Sequence, residues 1–407
     1  MNASQVVELM PISRSESPPA AIKQIDSPAP PPVTGVTNRF AFIDGLRGIA
    51  ALGIVVFHLW WYEPAPYPVF GAESTPADEA FIKIRAAVQV LLVISGFVIA
   101  YTLRRTWVTP QEMYWFIGRR LVRLVPCYWV TIATVLLVDV ACRNVWELST
   151  PTDSPPTMAR VAAHMTFLQD VFGLDSLSAG MWTLCIEMQF YFVAVLGWGL
   201  AQRCFPRLDR LDPTPSAWAL LLTFAPIAVF SLFHWRTQAD TEIWVIHFLW
   251  MFFIGMATWW AIDRTISLPI FVGLILIGLR NLYVDAEWRY ENSVALTTAI
   301  SIFVAGRLGR LNSWLNIPWL QYLGKISYSL YLIHFPICHV LTSAGWRWYH
   351  DSPTSLQATG ILLSSLICSI IGGHVLYVLV EAPSARWAAR MKQASHFSIV
   401  PTLETIH

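Results

Sequence analysis

Of the 407 residues, 55% are hydrophobic, 14% aromatic and only 13% charged, with a net charge of +1. That charged share is half of the ~25% usual in soluble domains, so a soluble fold could not cover its surface, and a disordered, fibrous or disulfide-stapled chain is excluded as well. The near-zero net charge offers no global basic field for nucleic acid.

Residues 1–37 are rich in Pro, Ser and Ala, with the run PAPPPV from Pro28 to Val33. This composition cannot bury a core and reads as a disordered cytoplasmic tail. The start has no basic segment followed by an apolar one, so the first transmembrane helix is the expected insertion signal. From residue 42 onward, apolar segments near the ~20-residue membrane length recur. They fall at 42–62, 84–103, 121–141, 181–201, 216–235, 243–262, 267–282, 292–306, 322–345 and 358–382. The expected fold is therefore all-α, a polytopic membrane helical bundle of about ten transmembrane helices. The expected organisation is a tail over 1–37, one membrane domain over 38–390 and a cytoplasmic C-terminal tail over 391–407. Pro126, Pro226 and Pro336 lie inside spans, where neighbouring helices can satisfy the freed carbonyls. Twenty Trp and thirteen Tyr suit aromatic belts at two interfaces.

Lys and Arg set the orientation. With both termini in the cytoplasm, the inner segments hold Arg104, Arg105, Arg119 and Arg120, then Arg203, Arg207 and Arg210. Arg307, Arg310 and Lys325 follow, then Arg386, Arg390 and Lys392. The outer loops hold fewer, among them Arg143, Arg160, Arg236 and Arg280, and 142–180 becomes the longest of them. Cys127, Cys142, Cys185, Cys204, Cys338 and Cys368 are scattered without a CxxC pair, so no metal site is expected from them; most read as small core residues.

Ionisable groups within spans are costly and are functional candidates by default. Arg47 and His58 are eleven residues apart, close to three turns, so they share a face roughly 16 Å apart. Asp44 is placed to pair with Arg47, while Gly45, Gly48, Ala51 and Gly53 allow another helix or a ligand to approach. Alternatively, Arg47 snorkels at the interface and His58 belongs to the aromatic belt beside Trp60 and Trp61. Ser95 and Gly96 permit close packing in the second span and serve equally as packing or as site residues. Arg119, Arg120 and Arg123 enter the third span, with Arg120 and Arg123 at i,i+3. Such a cluster holds phosphates or simply follows the positive-inside rule. Glu187, with Tyr191 one turn on, enters the fourth span from the outer side. At that depth a carboxylate could orient the His58 imidazole, or form a structural pair. His334 lines the same region or is a hydrogen-bonded core histidine, whereas His247 and His374 read as structural. No phosphate loop, HExxH, GxSxG or paired-carboxylate pattern suggests another chemistry.

Six stretches in order carry a resemblance. They are FIDGLRGIAALGIVVFH (42–58), VQVLLVISGFVIAY (88–101), RRLVRLVPCYW (119–129), MWTLCIEMQFY (181–191), LGKISYSLYLIHFP (323–336) and VEAPSARW (380–387). Together they resemble the membrane-bound acyltransferase family 3, typified by bacterial O-antigen and exopolysaccharide O-acetyltransferases. Val90 and Leu91 stand where that family has aromatic residues, and Cys185 and Met188 also depart from its pattern. The resemblance implies an acyl-coenzyme A donor, usually acetyl-CoA, used from the cytoplasm as substrate, with no permanently bound cofactor. It implies a hydroxyl acceptor on a glycan or lipid-linked sugar, and a bacterial inner membrane. By the same resemblance Arg47 and His58 form the essential pair, Arg119, Arg120 and Arg123 contact the CoA phosphates, and Glu187 is the family's acid. An acyltransferase of a small molecule such as a macrolide is the alternative; a transporter also suits intramembrane Arg, His and Glu, but the two related halves common in such proteins are not visible.

Overall fold

The computed structural model describes residues 40–61, 76–104, 106–152, 154–204, 213–234, 242–284, 289–350 and 352–397. The expected tail over 1–37 lies outside the described residues. So do Arg105, Arg207, Arg210 and Arg236 of the charge argument, and 398–407 of the expected C-terminal tail.

The described residues form helices and connecting segments, with no strand among them. The helices are α1 (Ala41–Trp61), α2 (Pro76–Ile84), α3 (Ala87–Leu103), α4 (Pro110–Ala141), α5 (Met158–Met165), α6 (Met181–Cys204) and α7 (Ala217–Phe233). They continue as α8 (Val245–Ile262), α9 (Leu268–Val284), α10 (Arg289–Arg307), α11 (Pro318–Trp348), α12 (Ser355–Leu376) and α13 (Ala382–Phe397). Among the described residues, six helical stretches are long and apolar enough to cross a bilayer, and α7 and α9 are shorter apolar helices. Each of the ten expected spans corresponds to a helix; α10 and α11 are diluted by polar residues. The chain is a multi-pass helical membrane protein.

Two boundaries differ from the hydropathy reading. Helix α4 starts at Pro110 rather than near residue 121, because Thr109 caps it by accepting the Glu112 N–H at 3.1 Å and proline suits the first position. Arg119, Arg120 and Arg123 therefore lie well inside a helix, not at its mouth. After α12 the chain passes through a π-helical turn, Tyr377–Glu381, before α13. The segment 142–180 also contains a short helix, α5, which periodicity does not reveal.

The core is organised by two close helix approaches. Helix α8, buried almost without interruption from His247 to Ala261, packs against α3, α7 and α10. A Cβ on Gly255 would lie 2.0 Å from the Val93 carbonyl oxygen, and one on Gly96 would lie 1.9 Å from that of Phe252. Only glycine permits this contact. Helix α1 packs between α3 and α11, and α11 packs on α12. On α1 and α11 a Cβ at Gly48 would lie 2.8 Å from the Leu320 oxygen, and one at Gly324 would lie 2.0 Å from the Asp44 oxygen. Ten residues further along each helix His58 meets His334, so α1 and α11 run parallel.

The 142–180 segment is fastened by its own polar contacts. Arg143 bonds the Asp139 carboxylate at 2.8 and 3.2 Å, and Thr152 donates to the same carboxylate. His164 Nδ1 donates to the Arg160 carbonyl at 2.7 Å, and its Nε2 accepts the Leu177 N–H at 2.9 Å.

Candidate active site

Helices α1 and α11 bring the first pair together. His58 Nδ1 lies 2.6 Å from His334 Nε2. The ring centroids are 4.9 Å apart and the planes 15° from parallel. That spacing equals one N···N contact plus two ring radii, so the rings meet edge to edge in nearly one plane. His334 Nδ1 is 3.2 Å from the Leu330 carbonyl oxygen, one turn back on α11. Both histidines are buried, and Phe335 packs edge-on against the His58 ring.

Helices α1, α3, α4 and α6 build a second group. Tyr191 donates to Glu187 Oε1, and Ser95 donates to the same oxygen at 3.3 Å. The Arg120 guanidinium lies 4.9 Å over the Tyr191 ring and reaches its hydroxyl at 3.5 Å. Arg47 lies in the electrostatic field of Asp44, Glu187, Tyr191 and Arg123. Among the described residues Arg47 donates no hydrogen bond and has no ion pair at contact distance. The Arg123 Nε is buried without an acceptor among them. Two guanidinium groups thus share one field without a carboxylate in contact with either. Such a place suits an anionic ligand.

The geometry revises two expectations. Glu187 does not hydrogen-bond His58; its carboxylate is held by Tyr191 and Ser95, in the field of Arg47. Counting depth from helix ends could not show this, because it leaves open which way each helix is rotated about its axis. Arg119 lies beside Glu112 and Arg120 rather than in the group around Tyr191. The i,i+3 spacing of Arg120 and Arg123 did put that pair on one face, and both lie in the field of Tyr191.

Sequence reasoning missed Glu381 as a site residue. It ends the π-helical turn, is buried, and accepts a 2.6 Å hydrogen bond from Ser329 Oγ. Its charge lies in the field of Arg123 and Arg47. A lone carboxylate closing the last apolar stretch was the available signal, and π-turns recur at functional sites. Among the described residues no three His, Cys, Asp or Glu side chains gather as a metal-ligand set.

The described helices thus form a membrane bundle with a buried imidazole pair and a partly unneutralised arginine group. Residues 40–374 match the family model described as an acyltransferase domain, and the chain belongs to acyltransferase family 3. It is an acyltransferase, which decides against the transporter alternative. BcsY of Komagataeibacter xylinus, provisionally named a membrane-bound transacylase, is 24% identical over 371 residues, covering 84% of this chain and 82% of BcsY. The O-acetyltransferase OatA of Staphylococcus aureus is 23% identical over 395 residues, covering 88% of this chain and 58% of OatA. This chain thus spans little more than half of OatA's length. No solved structure matches the chain.

Proposed function

We propose that the protein is an O-acyltransferase that moves an acyl group, in the simplest case acetyl, from acyl-coenzyme A to a hydroxyl of a cell-surface or lipid-linked glycan. One observation carries this reading. The same helix, α1, bears Arg47 in the field of Arg123, with no carboxylate in contact with either among the described residues, and bears His58 roughly 16 Å further along its axis. An extended pantetheine arm can bridge that interval. Phosphate oxygens would sit on Arg47, Arg120 and Arg123 near the cytoplasmic side. The thioester would then lie near His58, where the acceptor enters.

His58 acts as general base. It takes the proton of the acceptor hydroxyl as the oxygen attacks the thioester carbonyl. The C–O bond forms, the C–S bond breaks, and the proton on His58 passes to the departing thiolate. General-base catalysis contributes about 10²–10⁴-fold. Tyr191 touches the Arg120 guanidinium and donates to Glu187, so this pair serves the arginine group rather than the imidazole. The membrane domain takes in about residues 38–390, with both termini in the cytoplasm of a bacterium and the bundle in its inner membrane.

The test uses membranes from a host expressing wild type or His58→Ala at equal levels, given acetyl-CoA labelled in the acetyl group. Label reaching glycan or lipid-linked material only with wild type is the expected result. Label in a small organic-soluble product would replace the glycan with a small-molecule acceptor. Undiminished transfer by His58→Ala would remove His58 from the chemistry.

A further inference from the structure

We infer that His334 is a positioning residue that holds His58 in the tautomer with its lone pair on Nε2, making Nε2 the reacting nitrogen. The inference rests on the acyltransfer reading above and deepens it.

Hydrogen-bond polarity sets the tautomer from one fixed end, the Leu330 carbonyl. A carbonyl oxygen only accepts, so the 3.2 Å contact with the Leu330 oxygen requires His334 Nδ1 to carry its proton. In a neutral imidazole the other nitrogen is then an acceptor, and an apolar surround favours neutral rings. His334 Nε2 therefore presents a lone pair to His58, 2.6 Å away. His58 Nδ1 must donate into it. The proton of neutral His58 is thereby placed on Nδ1, and Nε2 is left as the basic nitrogen. The nearly coplanar rings direct both lone pair and N–H along the same line.

The local helix geometry supports the fixed end. Pro336 has no N–H, so the Leu332 carbonyl beside His334 lacks its usual helical partner, although α11 runs on unbroken. The backbone of both Leu330 and Tyr331 interacts with the His334 ring. His334 is 0% exposed, so water does not compete for either nitrogen. When His58 takes up the acceptor's proton on Nε2, its Nδ1–H bond to His334 shortens the charge's search for a partner: the acceptor is already in place. This is the work an aspartate performs in a serine hydrolase triad, performed here by a second neutral imidazole.

Two readouts test it. In wild-type protein labelled with ¹⁵N-histidine and reconstituted in lipid bilayers, solid-state NMR reads each His58 ring nitrogen, assigned by its loss in His58→Ala. Protonated Nδ1 and unprotonated Nε2 are expected at neutral pH. His334→Leu removes the acceptor, and the His58 ring then populates both tautomers. His334→Gln can lay its carbonyl oxygen where Nε2 was and restores the Nδ1–H form. In transfer assays His334→Leu is expected to lose at least ~10-fold in kcat with an unchanged KM for donor, within the ~10⁴-fold limit seen when a triad loses tautomer control. His334→Gln recovers most of it. An Nε2-protonated His58 in wild type, or wild-type kcat in both variants, overturns the inference. If His58→Ala itself keeps wild-type transfer, it is the general-base role of His58 in the reading above that fails, and the NMR result still decides the tautomer.

Discussion

Arg47 and Arg123 each carry a positive charge into the other's field, and no side-chain carboxylate touches either guanidinium among the described residues. Like charges at close range repel, and a bound anion removes the conflict. Replacing Arg123 by Gln should therefore weaken the donor more than the chemistry. Hydrogen bonds to charged groups contribute about 1.5–3 kcal/mol, which is ~10–100-fold in the KM for acyl-CoA. Arg47→Lys should behave similarly, because a point charge does not reproduce a planar fork. Initial rates against donor concentration, at matched membrane levels, read this directly. An unchanged KM in both variants would mean the phosphates bind elsewhere. Arg119, beside Glu112, should be far less sensitive, and Arg119→Gln is the internal comparison.

At the scale of elements, the α3–α8 contact has no room for a side chain. Gly255→Leu forces a Cβ toward a backbone oxygen that lies 2.0 Å from its ideal position, and a backbone atom cannot swing aside. Overpacking of this kind costs about 1–3 kcal/mol or more. The expected outcome is a lower melting temperature of the detergent-solubilised protein. Gly273→Leu on α9, where nothing lies within 4 Å of the added Cβ, should melt like wild type. Equal melting of both variants would show that α3 and α8 are not in this contact.

The segment 142–180 carries a pH response of its own. Burial holds the His164 imidazole below its ordinary pKa, and its Nε2 accepts the Leu177 N–H only while neutral. A histidine with a lowered folded-state pKa favours the fold fully above its unfolded value of about 6.5. The contribution falls as pH drops through that value. Limited proteolysis of this segment should thus accelerate between pH 7 and pH 5. His164→Gln should flatten the slope. An equally steep slope in the variant would assign the response to another group.

For the molecule as a whole, the arginine distribution makes a directional claim. Met158, 84% exposed in the 142–180 segment, is expected on the outer side, and exposed Cys204 at the end of α6 on the inner side. A membrane-impermeant maleimide should label a Met158→Cys variant in intact cells. Cys204 should react only after permeabilisation. The reverse pattern would invert the bundle and put the arginine group on the side without acyl-CoA. The parallel course of α1 and α11 is independent of that outcome, because it follows from their glycine and histidine contacts alone.

How much was legible in the sequence differs between these scales. The ten spans were readable because a backbone in hydrocarbon must satisfy its own hydrogen bonds, so an apolar run of membrane length has one solution, a helix. Arg47 and His58 were readable as one face of α1, and Arg120 with Arg123 as one face of α4, because the helical repeat is fixed by local geometry. The partner of each face was not readable. His334 lies 276 residues from His58, Ser95 lies 92 from Glu187 and Ser329 lies 52 from Glu381. Periodicity states which residues share a helix face but not how that helix is rotated against its neighbours. Here the rotation is decided by where Gly48, Gly96, Gly255 and Gly324 let backbones touch, and those contacts exist only in the assembled bundle.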